Sequence, residues 1–328
     1  MDNKQFPKDS AGRRMIDKVP LCFPEQSILD VKKMLFEKTA EIETLNYIYV
    51  TDRQKKLLGV FSIKEIFREP ESAKIKEIMK INPIKVRPYT DQERAAILAL
   101  ENNLKAIPVS DKDNKFLGVI PSDVILDILH SENVEDFLRL AGIRSSIQNI
   151  LKGNVLFSAK VRIPWLILGL LGGILAAQIV EVFEAPLRSH FILAAFIPLI
   201  LYIASAVGTQ TETLFIRSLV LDSGMKVGRY LFKEIQTAFL MALILGGLLS
   251  LISFFWFNSP YYIGIIMGTS LFFTILMATF IGVSIPYFLQ KIKKDPAIGT
   301  GPFATIVRDI LSLLIYFAVA IILLKLFL

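Results

Sequence analysis

The 328-residue sequence is poor in the residues that chemistry most often uses: it has one cysteine, Cys22, and two histidines, His130 and His190. A lone cysteine excludes an internal disulfide and any multi-cysteine metal site, so Cys22 is read as a core residue. Neither histidine stands in the spacing of a triad or a metal motif, and no enzyme is expected. His130 is read as a surface residue. The net charge of +7 is spread without a long basic run, which excludes nucleic acid as an expected partner. The opening MDNKQFPKDSAGRR has no apolar run behind its charges, so no cleaved signal peptide is evident and the first half is expected in the cytoplasm.

Charge itself is scarce in the second half. Residues 1–160 hold 26 Lys/Arg and 23 Asp/Glu, whereas residues 161–328 hold 11 and 7. With 53% hydrophobic residues and a mean hydropathy of +0.52, that segregation implies a soluble α+β half followed by an all-α membrane half. In the soluble half, short β-branched or aromatic runs alternate with helical patterns, twice in the same order. Entry residues around Val19 lead to a helix at 27–39, the strand NYIYV, the turn TDRQKK, the strand LLGVFS and the helix IKEIF. KVRPYT then leads to a helix at 91–102, the strand KAIPVS, the turn DKDNK, the strand FLGVI and the helix SDVILDIL.

The expected divisions are a disordered segment at 1–14, repeats at 15–70 and 71–130, a connecting helix at 131–160 and a membrane domain at 161–328. In the connector, Val134, Phe137, Leu138 and Ala141 recur at helical spacing, with Glu135, Asp136 and Arg139 on other faces, so an amphipathic helix is expected. Such a helix suits either a gate or a passive link.

Spanning a bilayer takes roughly 20 apolar residues. Five stretches qualify, at 163–183, 191–221, 230–257, 261–289 and 303–327, and an odd number puts the termini on opposite sides. Lys226, Arg229, Lys233, Lys291, Lys293 and Lys294 fall in loops on the N-terminal side. Glu181, Glu184, Arg188, His190 and the uncharged corner FFWFNSPYY fall on the other, which sets the N-terminus in the cytoplasm. Gly169, Gly173 and Ala177, then Gly264 and Gly268, allow close helix approach.

Two polar features interrupt these apolar stretches. Asp309 lies about a third of the way into the last one, where an ionised side chain costs at least ~2.5–3.5 kcal/mol on insertion scales. Thr305, Asp309, Ser312 and Tyr316 fall on one narrow face of that helix. Such a stripe either hydrogen-bonds to a neighbouring helix or lines an ion pathway. In the second stretch, Pro198 is expected to introduce a kink. The run Gly208, Thr209, Gln210, Thr211, Glu212 and Thr213 is too polar to face lipid, and Ser205, Gly208 and Glu212 share a face. Oxygen-rich surfaces of this kind suit a hydrated divalent cation. Glu212 has a second reading, as the counter-ion of Arg308.

The tandem unit resembles a pair of CBS domains, through YVTDRQKKLLGVFSIKEIF and PVSDKDNKFLGVIPSDVIL. The resemblance implies a regulatory module that binds ATP or another adenine nucleotide between the repeats. The family's ribose pattern, Ser/Thr followed three residues later by an acid, is met by Ser62 and Glu65. Pro121 and Val124 occupy the matching places in the second repeat, so at most one site is implied. In the alternative reading, Ser62 caps a helix beginning at Ile63 and Glu65 favours its first turn.

From Met15 onward the chain resembles the MgtE-type magnesium channels. The resemblance rests on ENVEDFLRLAG, the Pro198-to-Gln210 spacing followed by TLFIRSL, RYLFKEIQ and, most specifically, DPAIGTGPFATIVRDILSLLIYF. It implies a homodimer in the cell membrane with a pore on the twofold axis between the second and fifth helices, where Asp309 of both subunits holds a hydrated Mg²⁺ and Thr305 lines the path. The resulting expectation is metal contact from Asp309, Thr305 and Glu212, and pore lining from Ser205, Gly208, Thr209, Gln210, Ser312 and Tyr316. A gating helix would carry Glu135 and Asp136. The partners are the second copy, the bilayer and the divalent cation.

Three departures stand against the family pattern. ASAVGTQ puts Ala204, Ala206 and Thr209 where the family has glycine or asparagine. Arg308 and Glu212 alter the pore's charge, and no helical domain precedes the CBS pair. Two alternatives follow: a transporter or exporter of Co²⁺, Zn²⁺ or Mn²⁺, and a non-conducting, nucleotide-sensing membrane regulator.

Overall fold

The computed structural model describes residues 3–143, 145–183, 190–221, 224–257, 259–292, 294–299 and 301–327. Glu184, Arg188, Lys293 and the asparagine of FFWFNSPYY, used above for loop charge, lie outside the described residues. The chain forms two compact units, Met1–Asn133 and Val134–Leu328.

The first unit contains α1 (Ala11–Arg14), β1 (Leu21–Cys22), α2 (Ile28–Lys38), β2 (Tyr47–Thr51), β3 (Leu57–Ser62), α3 (Glu65–Arg68), α4 (Ile75–Ile78) and β4 (Lys80–Ile81). It continues with α5 (Gln92–Glu101), β5 (Ala106–Ser110), β6 (Phe116–Pro121) and the start of α6 (Ser122–Leu140). One sheet runs β1-β2-β3-β4, with β1 parallel to β2 and the other pairs antiparallel, and β5 and β6 form a separate hairpin.

The internal repeat is visible in the register. Tyr47 faces Ser62 and Ala106 faces Pro121, and both hairpins shift by a residue at the same place, between Val50 and Thr51 and between Val109 and Ser110. The turns repeat too. The Asp52 carboxylate accepts from the amides of Gln54 and Lys56, and Asp111 does the same for Asp113 and Lys115. Each turn then passes through one left-handed residue, Lys55 or Asn114, both at φ 64°. The two turns hydrogen-bond to each other, Leu57 N to Asn114 O at 2.9 Å and Phe116 N to Lys55 O at 2.8 Å.

Helix caps follow the sequence. Ser27 and Asp30 close a capping box on α2, and Asp91 accepts from the amides of Glu93 and Arg94 at the start of α5. Cys22 is buried, and desolvation pushes its thiol up to about 12, as suits a core residue. The segment 1–14, expected to be disordered, is a correction. Asn3–Gln5 forms a 3₁₀ turn, Ala11 is buried, and the Ala11 and Gly12 amides donate to Thr90 O and Pro88 O. Ala11 and Met15 fill the core of the second repeat, an apolar contribution too short to give a periodic signal.

The second unit begins in the last turns of α6 and contains α7 (Ile147–Lys152), α8 (Val155–Val182), α9 (Phe191–Leu221), α10 (Val227–Phe255), α11 (Tyr261–Lys291) and α12 (Pro302–Phe327). Helices α8 to α12 are five elements long and apolar enough to cross a membrane. The most buried is α11, which packs on α9, α10 and α12, while no residue of α8 is buried within the protomer. Small residues make the tightest of these crossings possible: a Cβ on Gly246 would stand 2.7 Å from Gly268 O, and Ser250 Oγ donates to Gly264 O at 2.8 Å. Gly264 and Gly268 thus serve close approach as expected. Gly169 and Gly173 face open space within the protomer.

The single helix expected at 131–160 is also a correction. It is interrupted at Gly142, where φ is +74°, and restarts twice, with Ser146 capping α7 and Asn154 capping α8. The first spanning helix therefore starts before residue 163. Helix α9 runs through Pro198 as one element.

Candidate functional site

Three helices converge where the two polar features of the sequence meet. Arg308, on α12, reaches across to α9 and donates from Nη1 to Glu212 Oε2 at 3.1 Å. Both side chains are inside the protein, at 0% and 2% exposure. Gly208 makes room for the arginine: a Cβ there would lie 2.7 Å from Arg308 Nη1. On the other flank, α11 approaches through Gly282, where a Cβ would meet Gly208 O at 2.9 Å. The glycine pair brings α11 and α12 close to the backbone of α9, and the guanidinium bridges α12 to α9. Its Nη2 also contacts the hydroxyls of Thr209 at 3.4 Å and Thr305 at 3.2 Å. Thr305 in turn donates to Gly301 O at 3.0 Å.

Beside this bridge lies a groove of about 470 Å³ lined by Thr209, Glu212, Thr213, Thr305, Asp309 and the glycine face of α8. Asp309 is half-buried on its wall. Thr209, Gln210 and Thr213 are exposed on the outer face of α9, and Ser205 is half-buried on the same helix. Hydroxyls, an amide and a carboxylate thus face outward at membrane depth, where nothing in the hydrocarbon can satisfy them.

The structure divides the residues expected at the pore. Asp309, Thr305, Thr209 and Glu212 line the groove, whereas Gln210, exposed, and Ser205, half-buried, stand on α9 outside its lining. Three more do not line it. Gly208 is buried beneath Arg308. Ser312 is fully buried, and Tyr316 donates from its hydroxyl to Leu193 O at 2.7 Å within the protomer core. The stripe on α12 therefore serves two purposes. Burial changes along the helix, so one face is groove wall near Thr305 and core near Tyr316. Glu212 combines both readings: Arg308 holds its Oε2, while its Oε1 has no hydrogen-bond partner and the residue lines the groove. Ala204, one of the departures in ASAVGTQ, is buried and away from the groove.

Next to this site, the last turns of α6 meet the elbow that precedes α12. Arg139 pairs with Glu135 on its own helix and with Asp295 on the elbow, and the Asp295 carboxylate also accepts from Ala297 N at 2.8 Å. Gly142 and Gly301 both take positive φ there, and a side chain on Gly301 would collide with Leu140 O. Burial pushes the Asp136 carboxyl up, opposed by the nearby charges of Arg139 and Arg217. The amphipathic pattern marked Glu135 and Asp136, but sequence reasoning missed the Arg139–Asp295 link. The only signal was an acid beside the proline that ends one helical run.

In the first unit, a cavity of about 350 Å³ lies between the repeats. It is lined by Ser62 and Glu65, as expected, and by Tyr49, Lys80, Asn102 and Asn103, which sequence reasoning missed. Ser62 is not a helix N-cap: its hydroxyl accepts from Lys64 N at 3.4 Å, and α3 starts a residue later without a side-chain cap. Tyr49 is buried, its hydroxyl has no hydrogen-bond partner, and desolvation raises its pKa.

The comparisons agree with both units. The family model for MgtE, a divalent cation transporter, matches residues 197–319, and the CBS domain model matches residues 11–72 and 75–131. The magnesium transporter MgtE of Bacillus subtilis (strain 168) is 34% identical over 319 residues, covering 96% of this chain and 70% of that protein. The magnesium transporter MgtE of Enterococcus faecalis (strain ATCC 700802 / V583) is 29% identical over 318 residues, 96% of this chain and 69% of that protein. A crystal structure of the cytosolic domain of the Mg²⁺ channel MgtE in complex with ATP is 28% identical, with a TM-score of 0.38. The match spans 38% of this chain and about half, 51%, of that one.

Fold and sequence together define a multi-pass membrane protein in which a CBS pair precedes a bundle of five spanning helices. The chain belongs to the MgtE family of magnesium transporters.

Proposed function

We propose that the protein is a homodimeric Mg²⁺ channel whose ion path runs along the exposed polar face of α9 and the Asp309 edge of α12. The observation that carries this reading is that Thr209, Gln210 and Thr213 are exposed at membrane depth beside a half-buried carboxylate. A second copy facing the first across a twofold axis would enclose these groups and set two Asp309 carboxylates opposite each other. One hydrated cation between them offsets the cost of burying both. Mg²⁺ uptake into proteoliposomes tests the reading: Asp309→Ala is expected to abolish it, and unchanged uptake would remove the pathway. Competition by Co²⁺, Zn²⁺ and Mn²⁺ in the same assay separates a channel for Mg²⁺ from a carrier of another divalent ion.

In this reading the N-terminus lies in the cytoplasm, where the CBS pair acts as sensor. The inter-repeat cavity offers a phenol without a partner, a hydroxyl, a carboxylate and a lysine, a set suited to the base, ribose and phosphate of an adenine nucleotide. Gating acts through the last turns of α6, whose Arg139 holds the elbow ahead of α12. Release of that pair would free the groove-lining helix at its start. Nucleotide binding without any cation flux would instead favour a non-conducting regulator.

A further inference from the structure

Across 163–180, 191–216, 235–257, 261–290 and 302–324, the interiors of the five spanning helices, the only Asp, Glu, Lys or Arg side chains are Glu212, Arg308 and Asp309. All three converge on one groove. One positive and two negative charges leave a single net negative charge per protomer. Arg308 is adjacent in sequence to Asp309 yet points the other way, onto Glu212, with its guanidinium fully buried beneath the groove wall. Its Nη2 engages the hydroxyls of Thr209 and Thr305, both of which line the groove. The pairing is incomplete: Arg308 Nε and Glu212 Oε1 are buried without hydrogen-bond partners, so neither charge is fully satisfied by its neighbour.

We propose that Arg308 is a specificity-determining residue for the transported ion: a fixed cation under the groove that, balanced by Glu212, sets how tightly a divalent cation is held at Asp309. Its effect has a definite sign. Conduction requires a site strong enough to admit the ion and weak enough to let it leave. With Arg308 present and Glu212 balancing it, the groove presents one unit of negative charge per copy. Without Glu212, the arginine cancels Asp309 and the site weakens. Without Arg308, two carboxylates per copy face the ion, so it binds more tightly and leaves more slowly. A purely structural clasp between α9 and α12 has no such sign, since losing either partner damages the same contact.

The inference rests on the reading that the ion passes Asp309. The test is Mg²⁺ uptake by the full chain in proteoliposomes, measured as the half-saturating Mg²⁺ concentration and the maximal rate. Wild type, Glu212→Gln, Arg308→Gln and the double variant are compared, with Asp309→Asn beside them. Glu212→Gln is expected to raise the half-saturating concentration by about tenfold or more, the size of one unit charge roughly 6 Å from a divalent ion even at a water-like dielectric of about 80. Arg308→Gln should lower it and slow the maximal rate. The double variant, which leaves no buried charge unpaired and restores the net charge, should fall between the singles.

Shifts of both singles in one direction, or a common half-saturation in all four proteins, would overturn the proposal. If Arg308→Gln does not fold, Glu212→Gln decides, and a rise of less than about threefold overturns the proposal. Asp309→Asn separates the two levels. Unchanged uptake there rejects the pathway itself, whereas lost uptake with unshifted Glu212 and Arg308 variants rejects only the role of Arg308.

Discussion

The membrane groove and the inter-repeat cavity place similar side chains in opposite situations. Each brings hydroxyls, a carboxylate and a cationic side chain into an apolar setting. In the membrane unit the cation is buried and held by its own chain, through Glu212, Thr209 and Thr305. In the CBS pair, Lys80 is exposed and Glu65 pairs with the largely exposed Arg68, while the Tyr49 hydroxyl is left without a partner. Lipid supplies no hydrogen bonds, so a membrane unit must pair its charges internally. Water does supply them, so a soluble cavity can keep its polar groups free for a ligand. One site is pre-charged by the protein, and the other is available to solvent.

The strongest way to break this contrast is to remove one half of the buried pair. Arg308→Ala or Glu212→Ala should destabilise the folded protein by about 3–5 kcal/mol by leaving an uncompensated charge inside, a loss read as a lower melting temperature in detergent. A loss no larger than that of a surface pair would mean that water reaches the site. Next in size is Gly208→Ala, whose methyl would occupy the space of the guanidinium; overpacking of this kind costs about 1–3 kcal/mol.

Tyr316→Phe sharpens the division within α12. It leaves Leu193 O without its hydroxyl donor, so a loss of about 1 kcal/mol is expected, with Mg²⁺ half-saturation unmoved. A changed half-saturation would return Tyr316 to the pathway. Smallest in stability is Arg139→Ala, because the ion pair with Asp295 is partly exposed and such pairs contribute about 0–1 kcal/mol. Its expected signature is kinetic, an altered fraction of open channels at fixed Mg²⁺. On the soluble side, Glu65→Gln should weaken binding of ATP or AMP, measured by calorimetry, and leave Mg²⁺ uptake without nucleotide as it was.

Much of this was legible in the sequence, for identifiable reasons. Strands β2, β3, β5 and β6 were readable because each is a short apolar run bounded by turn signals, and Asp52 and Asp111 announce identical turns. The five spanning helices were readable from apolar length alone. The N-terminal segment was not, because Ala11 and Met15 contribute to a core assembled from residues near 90 and 120, and no local period records that. The connector was misread because Gly142, Gly153 and Asn154 interrupt a pattern whose apolar spacing runs on across them. At the groove, spacing placed Thr305, Asp309, Ser312 and Tyr316 on one face correctly. It could not tell which part of the face is core, since that depends on how α12 crosses its neighbours. The Arg308–Glu212 pair was open from sequence because 96 residues separate the partners; Gly208 and Gly282, which let the helices close around it, acquire that meaning only in three dimensions.

The central claim is that a divalent cation crosses the membrane past Asp309. Mg²⁺ uptake into proteoliposomes holding wild-type protein or Asp309→Asn, at matched protein content and verified folding, tests it most directly. The account predicts robust uptake by the wild type and none by the variant. Equal uptake by the two proteins would contradict it.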